Sequence, residues 1–491
     1  MSSARRPRFL VAVFDALRPD MVAPETAPHL AAFAAAGCRF PNSRAVFPSE
    51  TRVNTASFAT GTHPGGHGIV ANSFFDPRLP GGRPFDTGDA AMLALARAAY
   101  PGGIVEAPTL GEALAAAGLG FAAVSSGTAG NAFFLNPRAA ALGQPTFSVH
   151  GRAACSRPDL FDSVTARFGP VPPAAVPNLA RCGYVADLLL DHVLPELAPD
   201  VAVVWFSEPD ISYHYRGVGS PESLAAIRFV DAQFGRILDW WRASPERDRI
   251  QIVALSDHGQ IGVGRRIDLL AEMRDAGFNA AERLGPDVDY ALVPGYSGNL
   301  RVRDMARLAP LADWLREQPW CGLLFTAGGN GVEGSVPGSF AIDLLRARHD
   351  RSPQLLFTLR AEDAANGFGM PGRCLHANDL PEDGGIHGGL HPREMNNFLA
   401  IGGALFPEGR TVAAPCGITD LAPTILHCLG LPIPPGMTGR PLVEALAGSP
   451  DGGTAPDMET RLLETGHGGY RQSLRLSRAG GNLYLDGGWT G

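Results

Sequence analysis

The chain has no lysine: all 41 basic residues are arginine, which excludes any mechanism that needs a lysine amine. It has no basic excess either. A net charge of −8 speaks against a general nucleic-acid binder, which carries a basic surplus, so no nucleic acid is expected as a stable partner. Seven cysteines (Cys38, Cys155, Cys182, Cys321, Cys374, Cys416 and Cys428) are scattered, odd in number and form no Cys-x-x-Cys. Free thiols in a reducing compartment are the expectation. No run approaches the roughly 18 apolar residues of a membrane helix. The apolar run at residues 9–14, behind a leading Met1-Ser2-Ser3-Ala4-Arg5-Arg6, is too short for a secretory signal and ends at Asp15. A cytoplasmic protein without a membrane partner follows as the expectation.

At 491 residues, rich in glycine and proline, the chain is long enough for a large core and two or more domains. Short continuous apolar runs at residues 9–14, 121–125, 200–206 and 250–255 read as strands buried on both faces. Between them lie helical stretches, at residues 26–37, 109–118, 179–197 and 220–241, several with a capping residue or a terminal Gly. Strand, polar end and helix in alternation predict an α/β fold, a doubly wound, mostly parallel sheet flanked by helices. Ligands of such sheets gather at the carboxyl ends of the strands, and there stand Asp15, Asp210 and Asp257. From about Asp289 the cadence changes. Residues 289–384 read as a small α+β insertion, either a cap beside the site or decoration away from it, within a core of residues 1–288 and 385–491. Residues 470–486 read as a β-hairpin. The small-residue loop Ser126-Gly127-Thr128-Ala129-Gly130-Asn131 suits a pocket lining or a tight turn.

The segment Pro48-Ser49-Glu50-Thr51-Arg52-Val53-Asn54 opens a helix at Thr51 that stops at Gly61. A hydroxyl there sits among free N–H groups and the positive dipole end, fit to hold an anion or simply to cap the helix. Thr60-Gly61, Pro64-Gly65-Gly66-His67-Gly68-Ile69 and Asn72 follow. This run resembles the nucleophile segment of the alkaline phosphatase superfamily, in its nucleotide pyrophosphatase/phosphodiesterase branch. The resemblance extends to Asp15 with Arg18-Pro19-Asp20, to Glu208-Pro209-Asp210 with His214, to Ser256-Asp257-His258-Gly259, to His387-Gly388 and to the Asp420–Thr424 helix.

The resemblance implies Thr51 as nucleophile and Asn72 as donor to a phosphoryl oxygen. It implies two zinc ions, or other divalent ions such as Mn²⁺, one on Asp210, His214 and His387, the other on Asp15, Thr51, Asp257 and His258. No cysteine is needed for such sites. His63, His67 and His391 fit no ligand position and are expected to be structural. The implied activity is hydrolysis of a small phosphorylated substrate through a phosphothreonine. A phosphodiesterase or nucleotide pyrophosphatase is the first expectation, a phosphonate or phosphomonoester hydrolase the second, and a metal-binding protein without turnover the third. Arg52 stands where the nucleotide enzymes place a Phe. Its guanidinium could stack on a base, hold a second anionic group or face water. A sulfatase would need Cys or Ser at position 51, and the substrate-binding lysines of phosphonoacetate hydrolases cannot exist here. The sequence leaves the oligomeric state open.

Overall fold

A computed structural model of the chain describes residues 6–448 and 456–491; the leading residues 1–5 of the signal reading lie outside the described part. Eight strands form the main sheet, and its centre is parallel: Arg8–Phe14 runs between Val201–Phe206 and Ile250–Leu255, with Phe121–Ser125 and Thr146–Ser148 beyond Val201–Phe206. The sheet is mostly parallel, as expected, with antiparallel pairs in its other half. Leu399–Gly402 pairs antiparallel with Ile250–Leu255, so the sheet is mixed. Alternate residues of the central strands enter two separate cores. Phe9, Val11, Val13, Val203 and Trp205 face one, and Leu10, Ala12, Phe14, Val204 and Phe206 face the other. Both faces are therefore dry, which is why these strands read as unbroken apolar runs.

Helices cover both faces. Thr51–Thr60 and Leu421–Cys428 pack on the first; Pro28–Ala36, Leu179–Leu188 and Pro221–Ala243 pack on the second. Ser220 caps Pro221–Ala243 through the Ser223 N–H at 3.1 Å. The stretch read as one helix to residue 197 winds as a π-helix over Leu189–Leu197, with Pro195 inside it.

A six-stranded sheet, with Tyr290–Val293, Ser297–Val302, Cys321–Thr326 and Leu355–Leu359 among its strands, has its own apolar core. Ile261–Arg266 joins Pro371–His376 and Gly385–Ile386 in a further sheet, so the chain has left the main sheet well before residue 289. At the C-terminus the hairpin Tyr470–Ala479/Asn482–Thr490 carries a third strand, Met458–His467. Tyr484 of this sheet donates to Asp420 at 2.9 Å and ties it to the start of Leu421–Cys428.

Candidate active site

The central strands deliver the site. Register pairs Phe14 with Phe206 and Val13 with Leu255, so the three chain segments leave the sheet edge side by side. Asp15 follows the first strand, Asp257-His258 follows Ile250–Leu255, and Asp210 opens the helix Asp210–Arg216 just past Val201–Phe206. His214 lies four residues on in that helix, on the same face as Asp210. His387 enters behind Gly385–Ile386, and Thr51 is the first residue of Thr51–Thr60, with Glu50 before it in extended conformation.

Every ligand candidate drawn from the sequence arrives in one place. Thr51 Oγ1 stands 3.4 Å from Asp15 Oδ1 and 3.2 Å from His258 Nε2. Asp257 Oδ2 is 3.1 Å from His258 Nε2. Asp210 Oδ1 is 3.2 Å from His214 Nε2 and 3.4 Å from His387 Nε2, and the rings of His258 and His387 stack at 4.0 Å. Asp210 also comes within metal-sharing reach of Asp15 and His258, so it stands between the two groups that the resemblance keeps apart.

The three imidazoles share one arrangement. Each places Nδ1 against a backbone carbonyl: His214 on Gly385 at 2.8 Å, His387 on Ser49 at 2.8 Å and His258 on Gly259 at 2.9 Å. A carbonyl only accepts, so Nδ1 carries the proton, and in the neutral ring the Nε2 lone pair faces the carboxylates. Asp210 Oδ1 and Asp257 Oδ2 are buried without a hydrogen-bond partner. Lone pairs converging on lone pairs, with oxygen and imidazole donors and no thiolate, fit divalent cations such as zinc.

The electrostatics agree. Burial and the neighbouring Asp257 and Asp210 carboxylates lift Asp15 well above the carboxylate range. Burial opposes charge on His258, but Asp257, Asp15 and Asp210 outweigh it and push the ring up to about 10. Burial likewise opposes charge on His214, but the Asp210 carboxylate prevails and raises it, while burial and the His258 charge hold His387 well below its usual value. A pocket that pulls protons this strongly also attracts a divalent ion, which would displace them.

Side chains that sequence reasoning passed over hold the ligands in place. Trp205 Nε1 donates to Asp15 Oδ2 at 2.9 Å, and the Ala16 N–H donates to Asp257 Oδ1 at 3.0 Å. Glu208 accepts from the Asn178 N–H at 2.6 Å and the Ser212 N–H at 3.1 Å, fixing the turn that bears Asp210; burial raises its carboxyl to about 7. Ser49 accepts from the Gly388 N–H at 3.0 Å and so ties the segment before Thr51 to the His387 loop. A hydroxyl or a tryptophan inside a strand has no local mark of such a role; only Glu208, beside Asp210, had a visible neighbour.

Asn72 Oδ1 accepts from the Arg52 N–H at 3.0 Å, which turns its amide hydrogens away from the helix; its own N–H donates to Glu50. Arg52 lies on the cleft wall but is already engaged, with Thr87 Oγ1 at 3.2 Å and Asp86 Oδ1 at 3.4 Å. The loop of residues 126–131 does not reach the cleft. It packs behind the helix Thr51–Thr60, where Asn131 donates to Thr55 Oγ1 at 2.9 Å, and a Cβ on Gly130 would fall 1.8 Å from the Thr87 carbonyl oxygen. His67 bonds Ser57 at 2.9 Å, and His391 caps a short helix through the Arg393 N–H at 3.3 Å. Neither these two nor His63 belongs to the ligand groups.

A cleft of about 320 Å³ opens over Thr51, lined by Asn72, Arg52 and Asp86 and by residues 293–297, Asn299, Asn378 and Leu380. Among the described residues no helix is long and apolar enough to cross a membrane.

Comparison with known proteins agrees with this architecture. The murine ectonucleotide pyrophosphatase/phosphodiesterase 5, solved in an inactive form in complex with AMP, superposes with a TM-score of 0.62 over 90% of this chain and 100% of its own, at 18% identity. A second structure of that protein gives 0.60 over 87% and 96%. Curated relatives match over short stretches. A 2,3-bisphosphoglycerate-independent phosphoglycerate mutase of Dinoroseobacter shibae is 48% identical over 72 residues, 15% of this chain and 13% of that protein. A bis(5′-adenosyl)-triphosphatase of Bos taurus is 39% identical over 75 residues, 15% of this chain and 17% of that protein. The chain thus spans less than a fifth of the length of the curated relatives it matches. Residues 9–308, more than half of the chain, match the model of the type I phosphodiesterase/nucleotide pyrophosphatase family, and the chain belongs to that family.

Proposed function

We propose that this protein hydrolyses phosphodiesters, with Thr51 as the nucleophile and a phosphothreonine as the intermediate. The observation that carries the reading is the position of Thr51 Oγ1, at a helix start, 3.4 Å from Asp15 and 3.2 Å from His258. Asp210, His214 and His387 would hold one divalent ion, and Asp15, Thr51, Asp257 and His258 a second, with Asp210 between them. When bound, such ions supply positive charge that lowers the pKa of a coordinated hydroxyl and stabilises the leaving oxygen.

The chain's own groups do the rest. The Thr51 oxygen forms a bond to phosphorus as the bond to the first alcohol breaks, and that alcohol departs with the threonine proton. The Asn72 amide, oriented by the Arg52 N–H, donates to an equatorial phosphoryl oxygen where charge grows. Water then breaks the threonine–phosphorus bond, releases a phosphomonoester and restores the hydroxyl. One water is consumed in all.

The state of Arg52 favours a diester over a monoester or phosphonate. A substrate with a second negative charge needs a free cation, and Arg52 is paired with Asp86 while Glu50 stands on the same cleft. Metal analysis with hydrolysis of bis-p-nitrophenyl phosphate, p-nitrophenyl phosphate and phosphonoacetate tests this. Preferred turnover of the first supports the reading. Preference for either of the others, or bound metal with no turnover, refutes it.

A further inference from the structure

One part of the cleft's wall names the alcohol that Thr51 would release or retain, an inference that rests on the phosphodiesterase reading. Asn299 and Asn378 both line that wall, and the side-chain carbonyl oxygen of each is buried without a hydrogen-bond partner. The orientation of Asn299 is settled by its neighbour: its amide donates to the Ser73 carbonyl at 3.1 Å, leaving the oxygen as the open acceptor. Asn378 Oδ1 lies beside Gly295, 3.9 Å from where a Cβ would stand. The hydroxyl-bearing Ser73 and Ser297 lie on the same cleft. A shielded acceptor without a donor costs free energy that a ligand's O–H recovers on binding.

Nothing in the lining offers a slot for a flat base. Tyr296 is the aromatic residue of the lining, but it is buried, its ring lies against Gly389 and its hydroxyl donates to Glu394 at 3.1 Å. Arg52 is bonded along its edge to Thr87 and Asp86. Tyr215, exposed with its ring 6.3 Å from that of His214, is outside the lining. A volume of about 320 Å³ is also at the small end of ligand sites.

We propose that the substrate is a phosphodiester whose substituent on this wall is a small hydroxylated, non-aromatic alcohol, glycerol-like or sugar-like, recognised through its hydroxyl hydrogens by Asn299 and Asn378. The metal-loaded full chain is assayed on glycerophosphoglycerol, thymidine 5′-p-nitrophenyl phosphate and bis-p-nitrophenyl phosphate. Asn378→Ala and Asn299→Leu should each raise KM for glycerophosphoglycerol about tenfold while leaving that for bis-p-nitrophenyl phosphate within about twofold. Asn378→Ala is the second variant should Asn299→Leu, which also frees the Ser73 carbonyl, fold poorly. Equal changes on both substrates, or a lower KM for the thymidine ester than for glycerophosphoglycerol, overturn the assignment while leaving the diesterase reading intact. Failure of the wild type to cleave bis-p-nitrophenyl phosphate overturns both.

Discussion

Arg52 shows how the residue beside Thr51 is read from its surroundings. Sequence alone left three roles for it, and the structure adds the partners that choose among them: Thr87 Oγ1 at 3.2 Å and Asp86 Oδ1 at 3.4 Å. An exposed Asp86 gives the pair little strength, and a surface pair contributes roughly 0–1 kcal/mol, yet it neutralises the charge that a second anionic group would require. Arg52→Ala is therefore expected to lower kcat/KM for a neutral-tailed diester and for a doubly charged monoester by the same small factor, below about fivefold. A loss confined to the monoester would restore Arg52 as an anion clamp. The carboxylates teach the same lesson. Asp15, Asp210, Asp257 and their histidines were legible because their residue types recur in a known order, whereas the orienting roles of Trp205, Ser49 and Glu208 were not. Orientation is a relation between segments far apart in the chain, and no local pattern records it.

At the level of elements, the helix Thr51–Thr60 depends on a buried bond from Ser57 to His67 at 2.9 Å. Burial, with His63, His349 and Arg351 near by, holds His67 well below its usual value of 6.5. The unfolded chain takes up this proton as the pH falls through 6.5 and the folded chain does not, so the contribution of His67 to stability is present above that pH and lost below it. His67→Gln removes the dependence. Its destabilisation at about pH 7.5, measured by urea unfolding, should shrink by about 1.4 kcal/mol at about pH 5.5. A gap that stays constant with pH would show that the folded protein protonates His67. Elements were legible in proportion to how fully one environment surrounds them. Phe121–Ser125 and Ile250–Leu255, dry on both sides, stood out as apolar runs. Strand direction did not, and Leu399–Gly402 turned out antiparallel. Met458–His467 escaped notice because most of its side chains are at least partly exposed and it carries no apolar face of its own. The loop of residues 126–131 was open between pocket and turn; its small residues serve close packing against the Thr87–Gly88 backbone and Thr55.

For the whole molecule, three strands of the main sheet and loops from the smaller sheets converge on a single cluster of carboxylates and imidazoles. Carboxylates and imidazole lone pairs that converge on one space gain from a bound cation, so the protein should be stabilised by metal. Zn²⁺ at about a hundred times its Kd contributes about 2.7 kcal/mol per site, seen as a higher melting temperature than after chelation. Asp257→Ala should lose bound zinc, most of that melting shift and at least ~100-fold in rate. A melting temperature indifferent to zinc and chelator would contradict a metal-built site. The most direct measurement is on the intermediate itself. Wild-type protein is mixed with bis-p-nitrophenyl phosphate, quenched in acid within the first turnovers, digested and analysed by mass spectrometry. A peptide carrying a p-nitrophenylphosphoryl group on Thr51, absent from Thr51→Ala, which should also lose more than about a thousandfold in turnover, is the predicted result. Wild-type rates from Thr51→Ala, or turnover with no phosphoryl adduct on Thr51, would contradict it.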